Sequence, residues 1–475
     1  MGVAEGASVA LLMRNEPAFV EALTTIRCLH AFRVLIPWHL APDEIGRILN
    51  RVRPSVLIVH ADLLSPLVPL LEELPAMAIA VVEPHAELIR VYDLRPGCEP
   101  ARPAGLHRWP DLVETASGNL PIPPGPPQAI SLTSGSTGKP KVIRWQQHWE
   151  QRRASSTDQR PLIKTSIVTA PLFYGAQYGG FSQAWRLRAD IVLEPKFDAE
   201  SFLAAVERYH VNHAYLVPPM FVRLLRLTQR VRERYDLSSL NYVLHSGASC
   251  PANIKRAMID WWGPILWEAY GCSETHTLAV CSSSEWLERP GTVGQPMKAL
   301  AILNDCGQVQ PAGEIGQIWA SISNMPRIAT DHHTPAARRI GETEMIATGD
   351  MGYLDDNDYL FVCGRADDLI NTGRVKVYPA EIENAILQHP QVTDCVVFGV
   401  PDEEFGQVIG ARLQVCDPKP DFESDLCRFL RARVSEHKIP VVMQVSGVPL
   451  RSEAGKFNRR ELAMELLTSR DPLTV

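Results

Sequence analysis

The sequence predicts an α/β fold built on largely parallel sheets, and three observations carry that reading. Short apolar strands alternate with amphipathic helices through most of the chain. No internal repeat or low-complexity tract interrupts the rhythm. Composition is that of a globular protein, 45% apolar and 21% charged, which supplies buried layers and argues against disorder. The 475 residues leave room for about three domains or subdomains.

Taken in order, Ser55-Val56-Leu57-Ile58-Val59 reads as a buried strand. The runs Asp190 to Leu193 and His213 to Val217 read as strands, with Phe202, Leu203 and Val206 at helical spacing between them. Asn241 to Leu244 and Pro264 to Leu266 continue the pattern. Pro121-Ile122-Pro123-Pro124-Gly125-Pro126-Pro127 cannot be helix or central strand and reads as an extended linker. The C-terminal part reads as its own small α+β unit. Its first helix opens at Pro379-Ala380-Glu381-Ile382-Glu383, with proline early and acids in the first turn. Strands over Asp394 to Val400 and Val408 to Val415 follow, then a helix near Glu423 to Glu436. The glycine- and charge-rich stretch Gly364 to Arg374 reads as a domain hinge.

The net charge of −7 and pI of about 6.1 exclude a nucleic-acid or anionic-membrane surface. The longest uncharged apolar run, Ala76 to Val82, falls far short of the ~20 residues that span a bilayer. The N-terminus lacks the basic region of a secretory signal. Ten cysteines without any Cys-x-x-Cys pair read as reduced thiols, so the expected compartment is cytoplasmic.

After the proline linker, Thr133-Ser134-Gly135-Ser136-Thr137-Gly138-Lys139-Pro140-Lys141 packs four hydroxyls, two glycines and two lysines together. Hydroxyls and glycine amides cradle phosphate oxygens, and lysine supplies charge. The spacing is not that of a Walker A loop. Pro140 and the strand-like flanks, Ala129 to Leu132 and Val142 to Trp145, make it a mobile hairpin loop. A polar surface hairpin is the alternative. Tyr270-Gly271-Cys272-Ser273-Glu274-Thr275, Ala347-Thr348-Gly349-Asp350 and Gly364-Arg365-Ala366-Asp367-Asp368 follow. Singly, each is weak, and a Tyr-Gly turn, a Thr-Gly-Asp turn and an Arg-Asp surface pair are usually structural. Gly455-Lys456-Phe457-Asn458-Arg459 is similarly weak alone.

Together and in this order they resemble the signature set of the ANL superfamily: acyl-CoA synthetases, peptide-synthetase adenylation domains and luciferases. The resemblance runs from about Val9 to Leu467. Asn15 to Ala22 resembles that family's first motif, Ser246-Gly247-Ala248-Ser249 its nucleotide-edge loop, and Gly291 to Pro296 its next turn. Trp38 to Ile45 and Val377 to Glu383 are closest in style to bacterial acyl-CoA synthetases. The resemblance implies a large N-terminal adenylation domain, residues 1–366, of two sheet-centred αβαβα subdomains plus a small β-barrel-like one. A small mobile α+β domain, residues 367–475, would swing about a hinge at Asp367. The first motif begins almost at the N-terminus, so the N-terminal domain is expected to be shortened at its start.

The same resemblance implies activation of a carboxylic acid by ATP and Mg²⁺ to acyl-adenylate and pyrophosphate. Lys456 matches the catalytic lysine that bridges carboxylate and α-phosphate. Thr133, Ser134, Gly135, Ser136, Thr137 and Lys141 would hold the outer phosphates. Glu274 would bind the metal, Ser273 the α-phosphate, and Gly247, Ala248, Ser249, Tyr270 and Gly271 the adenine side. Asp350 would accept the ribose hydroxyls, assisted by Arg365. Tyr174, Gly175, Gln177 and Gly179, with Ser246, Gly247, Cys272 and His276, would shape the acyl pocket. No early aspartate is present there to hold an α-amino group, which disfavours an α-amino acid. Many acyl-CoA synthetases carry histidine where Tyr174 stands, and the small residues nearby are compatible with a bulky acid.

CoA is the expected second substrate, but Arg374 stands where the family has the second of two adjacent glycines, the first being Gly373. A guanidinium there would narrow the pantetheine tunnel, and Lys376 adds charge. Alternatively Arg374 faces solvent or pairs with a CoA phosphate. With thiolation impaired, the adenylate would pass to a partner enzyme, a carrier protein acting in trans, or an amine. A non-catalytic nucleotide-binding homologue is the remaining reading, disfavoured by the intact motif residues. Homodimerisation is one option for assembly.

Overall fold

The computed structural model describes residues 2–71, 73–94, 106–115, 128–133, 141–146, 161–272, 275–322, 327–330, 337–372, 376–402, 406–416, 418, 420–451 and 457–468. The proline linker lies outside them. The chain divides into two compact units, Met1–Tyr215 with Asn324–Pro335, and Leu216–Ser323 with Ala336–Val475.

The first unit is built on strands β1 (Ser8–Leu12), β2 (Phe32–Leu35), β3 (Val56–His60), β4 (Ala78–Val82), β5 (Leu106–Arg108), β6 (Ala129–Thr133), β7 (Lys141–Gln146) and β16 (Arg327–Thr330). They form one sheet in the order β16-β7-β6-β2-β1-β3-β4-β5, parallel from β6 to β5, with antiparallel strands at the β7 and β16 edge. Side chains alternate across a strand, so a strand covered on both faces must be apolar throughout. Val9 and Leu11 of β1 and Val56 and Ile58 of β3 join one core with Phe19 and Phe181. Ala10 and Leu12, with Leu57 and Val59, join the opposite core with Ile45 and Leu49. In the same unit β8 (Thr165–Val168) pairs in parallel with β9 (Asp190–Leu193) and β10 (His213–Leu216). The expected helix between β9 and β10 runs Ala199–Tyr209, buries Phe202, Leu203 and Val206, and is N-capped by Asp198.

In the second unit β11 (Tyr242–His245) and β12 (Leu266–Cys272) are parallel, and β13 (His276–Ser282) returns antiparallel. The strand expected at Pro264 to Leu266 thus begins at its last residue and runs on through the Tyr-Gly pair. Strands β14 (Leu300–Leu303), β15 (Gly316–Ser321), β17 (Arg338–Ile340), β18 (Thr343–Leu354) and β19 (Leu360–Arg365) form an antiparallel sheet. The short pair β20 (Ile370–Asn371) and β21 (Lys376–Val377) follows. The C-terminal three-stranded sheet comprises β22 (Val392–Asp402), β23 (Gly406–Val415) and β24 (Val442–Val445), backed by the helices Pro379–Ile386 and Phe422–Arg431. The second helix stops at Arg431, short of the expected Glu436. Beyond it the chain has turned back, and Lys438 pairs with Glu381 at 2.6 Å on the first helix.

Among the described residues no helix is long and apolar enough to cross a membrane. None of their His, Cys, Asp and Glu side chains forms a group of three or more able to hold a metal ion.

Candidate active site

Asp350, 8% exposed, organises the second unit's candidate site. Asp350 lies inside the long strand β18, opposite Arg365 on β19. The Thr-Gly-Asp triad is therefore strand, not turn. A bulge follows between Met351 and Gly352, and bulges re-aim side chains. Gly349 adopts φ +80°, a conformation that favours glycine, and a Cβ there would lie 2.8 Å from an Arg365 guanidinium nitrogen and push the arginine aside. The Thr348 hydroxyl accepts the Asp350 amide at 3.1 Å and donates to the Ile318 carbonyl at 3.0 Å, which fixes the strand.

Arg365 Nη1 donates to Asp350 Oδ1 at 3.1 Å, and the Tyr270 hydroxyl donates to Oδ2 at 2.7 Å. Burial alone would lower the Arg365 pKa, but Asp350, aided by Asp367 and Asp368, holds it above its ordinary value. Burial and the Asp350 carboxylate push the Tyr270 phenol well above its ordinary range, so it stays a donor. A second bulge, between Tyr270 and Gly271, brings β13 so close that a Cβ on Gly271 would sit 2.0 Å from the His276 carbonyl oxygen. Beyond Gly271, the Cys272 thiol and the Thr275 hydroxyl are 3.0 Å apart, and Lys298 Nζ donates to the Thr275 carbonyl at 2.9 Å. His276 is held at φ +56°, and burial followed by Lys298 lowers its pKa. Ser246, Gly247, Ala248 and Ser249 form the loop after β11, with Gly247 at φ +88°.

Behind β12 lies a charge cluster that the sequence did not disclose. Lys255, fully buried on the helix Ala252–Trp262, reaches Glu268 Oε2 of β12 at 2.6 Å. His245 Nε2 is 3.9 Å from the same oxygen. Burial, then the Lys255 charge, hold the His245 pKa well below its ordinary value.

In the first unit, β6 and β7 pair antiparallel, ending at Thr133 opposite Lys141, as expected of a hairpin. Its loop, with Ser134, Gly135, Ser136 and Thr137, lies outside the described residues. So do Ser273, Glu274, Gly373, Arg374 and Lys456. Asn15 positions the segment expected to shape the acyl pocket. Its buried amide donates to the Ala170 carbonyl at 2.8 Å and accepts from the Leu172 amide at 3.0 Å. Phe173 and Tyr174 follow, their rings 4.3 Å apart, with His39 5.4 Å from Phe173 and 6.5 Å from Tyr174. Burial lowers the His39 pKa. The sequence assigns His39 no role of its own, because Phe173 and Tyr174 are distant from it in the chain.

The small residues of the helix Gly175–Arg186 play two roles. A Cβ at Gly175 or Gly179 would meet nothing within 4 Å, whereas at Gly180 it would lie 2.7 Å from Tyr215 Cβ. Gly180 therefore serves packing. Gly180→Ala is expected to destabilise the protein by about 1–3 kcal/mol through overpacking. Gly179→Ala is expected to stabilise it by about 0.5–1 kcal/mol through helix propensity. Urea unfolding of both variants checks this, and equal effects would refute the distinction.

Also in the second unit, the Phe457 ring has the guanidinium carbons of Arg451 and Arg459 over it, at 4.4 and 4.7 Å. Arg459 also bridges Asp368 at 2.6 Å and Glu383 at 2.7 Å, and Arg451 pairs with Asp394 at 2.8 Å.

Residues 1–327 match the family of AMP-binding enzymes, and residues 381–456 match the AMP-binding enzyme C-terminal domain. The chain belongs to the AMP-binding enzyme family. The ANL superfamily reading holds for it, and this protein is an adenylate-forming, ATP-using ligase. An indoleacetate–CoA ligase of Aromatoleum aromaticum is 27% identical over 451 residues, 92% of this chain and 84% of that protein. A feruloyl-CoA synthase of an Amycolatopsis species is 28% identical over 473 residues, 97% of this chain and 89% of that one. Among solved structures, the anthranilate CoA ligase AuaEII in complex with anthranoyl-AMP superposes with a TM-score of 0.80. It is 24% identical, with 98% of this chain and 89% of that one covered. The amide bond synthetase McbA from Marinactinospora thermotolerans gives 0.77 at 20% identity, with 99% and 91% covered. These two show that this AMP-binding enzyme shares their fold.

Proposed function

We propose that this AMP-binding enzyme converts a small carboxylic acid and magnesium ATP into acyl-adenylate and pyrophosphate, and that transfer to CoA is impaired by Arg374. The observation that carries the first step is the Tyr270–Asp350–Arg365 group. A nearly buried carboxylate with a donor on each oxygen is suited to exchange one partner for ribose hydroxyls, while the Tyr270 ring offers a face for adenine. The acid's carboxylate oxygen attacks the α-phosphorus, the bond to the bridging oxygen breaks, and pyrophosphate leaves. Lys456 neutralises the two approaching anions as a compact point charge. Thr133, the 134–137 loop and Lys141 hold the leaving phosphates, Ser273 the α-phosphate, and Glu274 the magnesium ion that travels with ATP. Gly247, Ala248, Ser249 and Gly271 border adenine. Tyr174, Gly175, Gln177, Gly179, Ser246, Cys272 and His276 face the acyl group. Residues from Asp367 onward form the domain that turns between the two half-reactions.

For the second half-reaction, the curated relatives are named as CoA ligases and one structural neighbour as an amide bond synthetase. Arg374 in place of glycine favours an adenylate handed to an amine or to a partner protein. A panel of carboxylic acids with ATP, Mg²⁺ and CoA, followed for both pyrophosphate and thioester, tests this. Pyrophosphate release with little thioester is the expected result, and robust acyl-CoA formation would sink the impaired-thiolation reading. Arg374→Gly is expected to raise thioester formation about tenfold or more, equivalent to ~1.4 kcal/mol on the barrier, with pyrophosphate release unchanged.

A further inference from the structure

Two buried amides flank the acyl-pocket segment, and their circumstances are opposite. Both ends of the Asn15 amide are used, on Ala170 and Leu172. Gln177, 2% exposed, has no hydrogen-bond partner for either Oε1 or Nε2 among the described residues. It lies in the first turn of the helix Gly175–Arg186, three residues before Gly180. Residues three apart share a helix face, and Gly180 lies against Tyr215, so the Gln177 strip faces protein rather than solvent. Tyr178 beside it packs into the apolar core under Arg33. A buried amide with neither donor nor acceptor paired is costly, and an aliphatic side chain at this place would avoid the cost.

We propose that Gln177 is a specificity-determining residue reserved for the substrate. It would pair with a hydroxyl, amino or carbonyl substituent carried by the acyl group in addition to the reacting carboxylate. The enzyme's acids are then polar-substituted rather than plain hydrocarbon acids. This rests on the acyl-activating reading above and deepens it.

The test uses pairs of acids that differ by one polar group: hydroxy- and aminobenzoates against benzoate, hydroxycinnamates against cinnamate, and indoleacetate against naphthylacetate. Pyrophosphate release gives kcat/KM for each. A site built to hydrogen-bond a substituent discriminates strongly against the analogue that lacks it. At least one pair is therefore expected to show a preference of about 10² or more in the unmodified enzyme. Gln177→Leu and Gln177→Met are expected to reduce that ratio at least tenfold, a change of ~1.4 kcal/mol, while the KM for ATP stays in place. Their ligand-free melting temperatures should equal or exceed that of the parent, because an unpaired amide has been removed. A ratio near one for every pair, a ratio unchanged in both variants, or a clear fall in both melting temperatures would overturn the assignment. Absence of pyrophosphate with every acid would instead overturn the acyl-activating reading and this proposal with it.

Discussion

Replacing Lys456 by alanine is expected to slow acid-dependent ATP–pyrophosphate exchange by about 10²–10³-fold, the usual effect of deleting one pre-aimed charge-stabilising donor. ATP binding should change little. The physical demand is plain: a carboxylate must approach a polyanion, and only fixed positive charge at the reacting atoms lowers that barrier. The nearest described residues on either side of the lysine in the chain are held in place. Arg451 and Phe457 bound the segment that contains it. Arg451 is tied to Asp394, the Phe457 ring has two guanidiniums over it, and Arg459 is clamped to Asp368 and Glu383. Exchange is the right assay because it reads adenylate formation without an acceptor. Supplying a synthetic acyl-adenylate gives the complementary reading, since any transfer to CoA should then survive Lys456→Ala within a few-fold. Retained exchange would show that another group carries the charge.

How much of this was legible in the sequence depended on distance along the chain. Continuous apolar runs such as Val56 to Val59 announce a strand covered on both faces, and the two cores on its sides agree. The strands flanking the Thr133–Lys141 loop were equally readable, since hairpin partners are neighbours. The site's wiring was not. Tyr270 and Asp350 are 80 residues apart, and their hydrogen bond depends on two bulges that a local pattern does not encode. Thr348-Gly349-Asp350 looked like a turn because glycine and aspartate favour turns. The glycine instead serves a positive φ of +80° within the strand, beside the Arg365 guanidinium. Gln177 is assigned to the acyl pocket only through the resemblance, and its burial without a partner among the described residues is something the sequence could not show. Lys255 gave no sign in the sequence, since a lysine beside an arginine on an amphipathic helix is ordinary.

Lys255→Met is expected to cost about 3–5 kcal/mol of stability at pH 8, because it leaves the largely buried Glu268 carboxylate without its partner. Lys255→Met combined with Glu268→Leu should recover most of that loss, since removing a whole buried pair is often neutral. The loss should also depend on pH through His245. In the unmodified protein the folded-state pKa of His245 is depressed. Below ~6.5, the unfolded imidazole therefore takes up a proton that the folded one refuses, and stability falls as pH drops. Without Lys255 the repelling charge is gone and an uncompensated carboxylate lies 3.9 Å from Nε2. His245 should then protonate more readily in the folded state, so the variant loses less than its parent on acidification. Urea unfolding at pH 8 and pH 5.5 should show the gap between them narrowing. A gap independent of pH, or a cost under ~1 kcal/mol, would mean that the pair is solvated and contributes as little as a surface ion pair. Because β12 carries both Glu268 and Tyr270, the same variant should weaken ATP binding, and the double replacement should restore it.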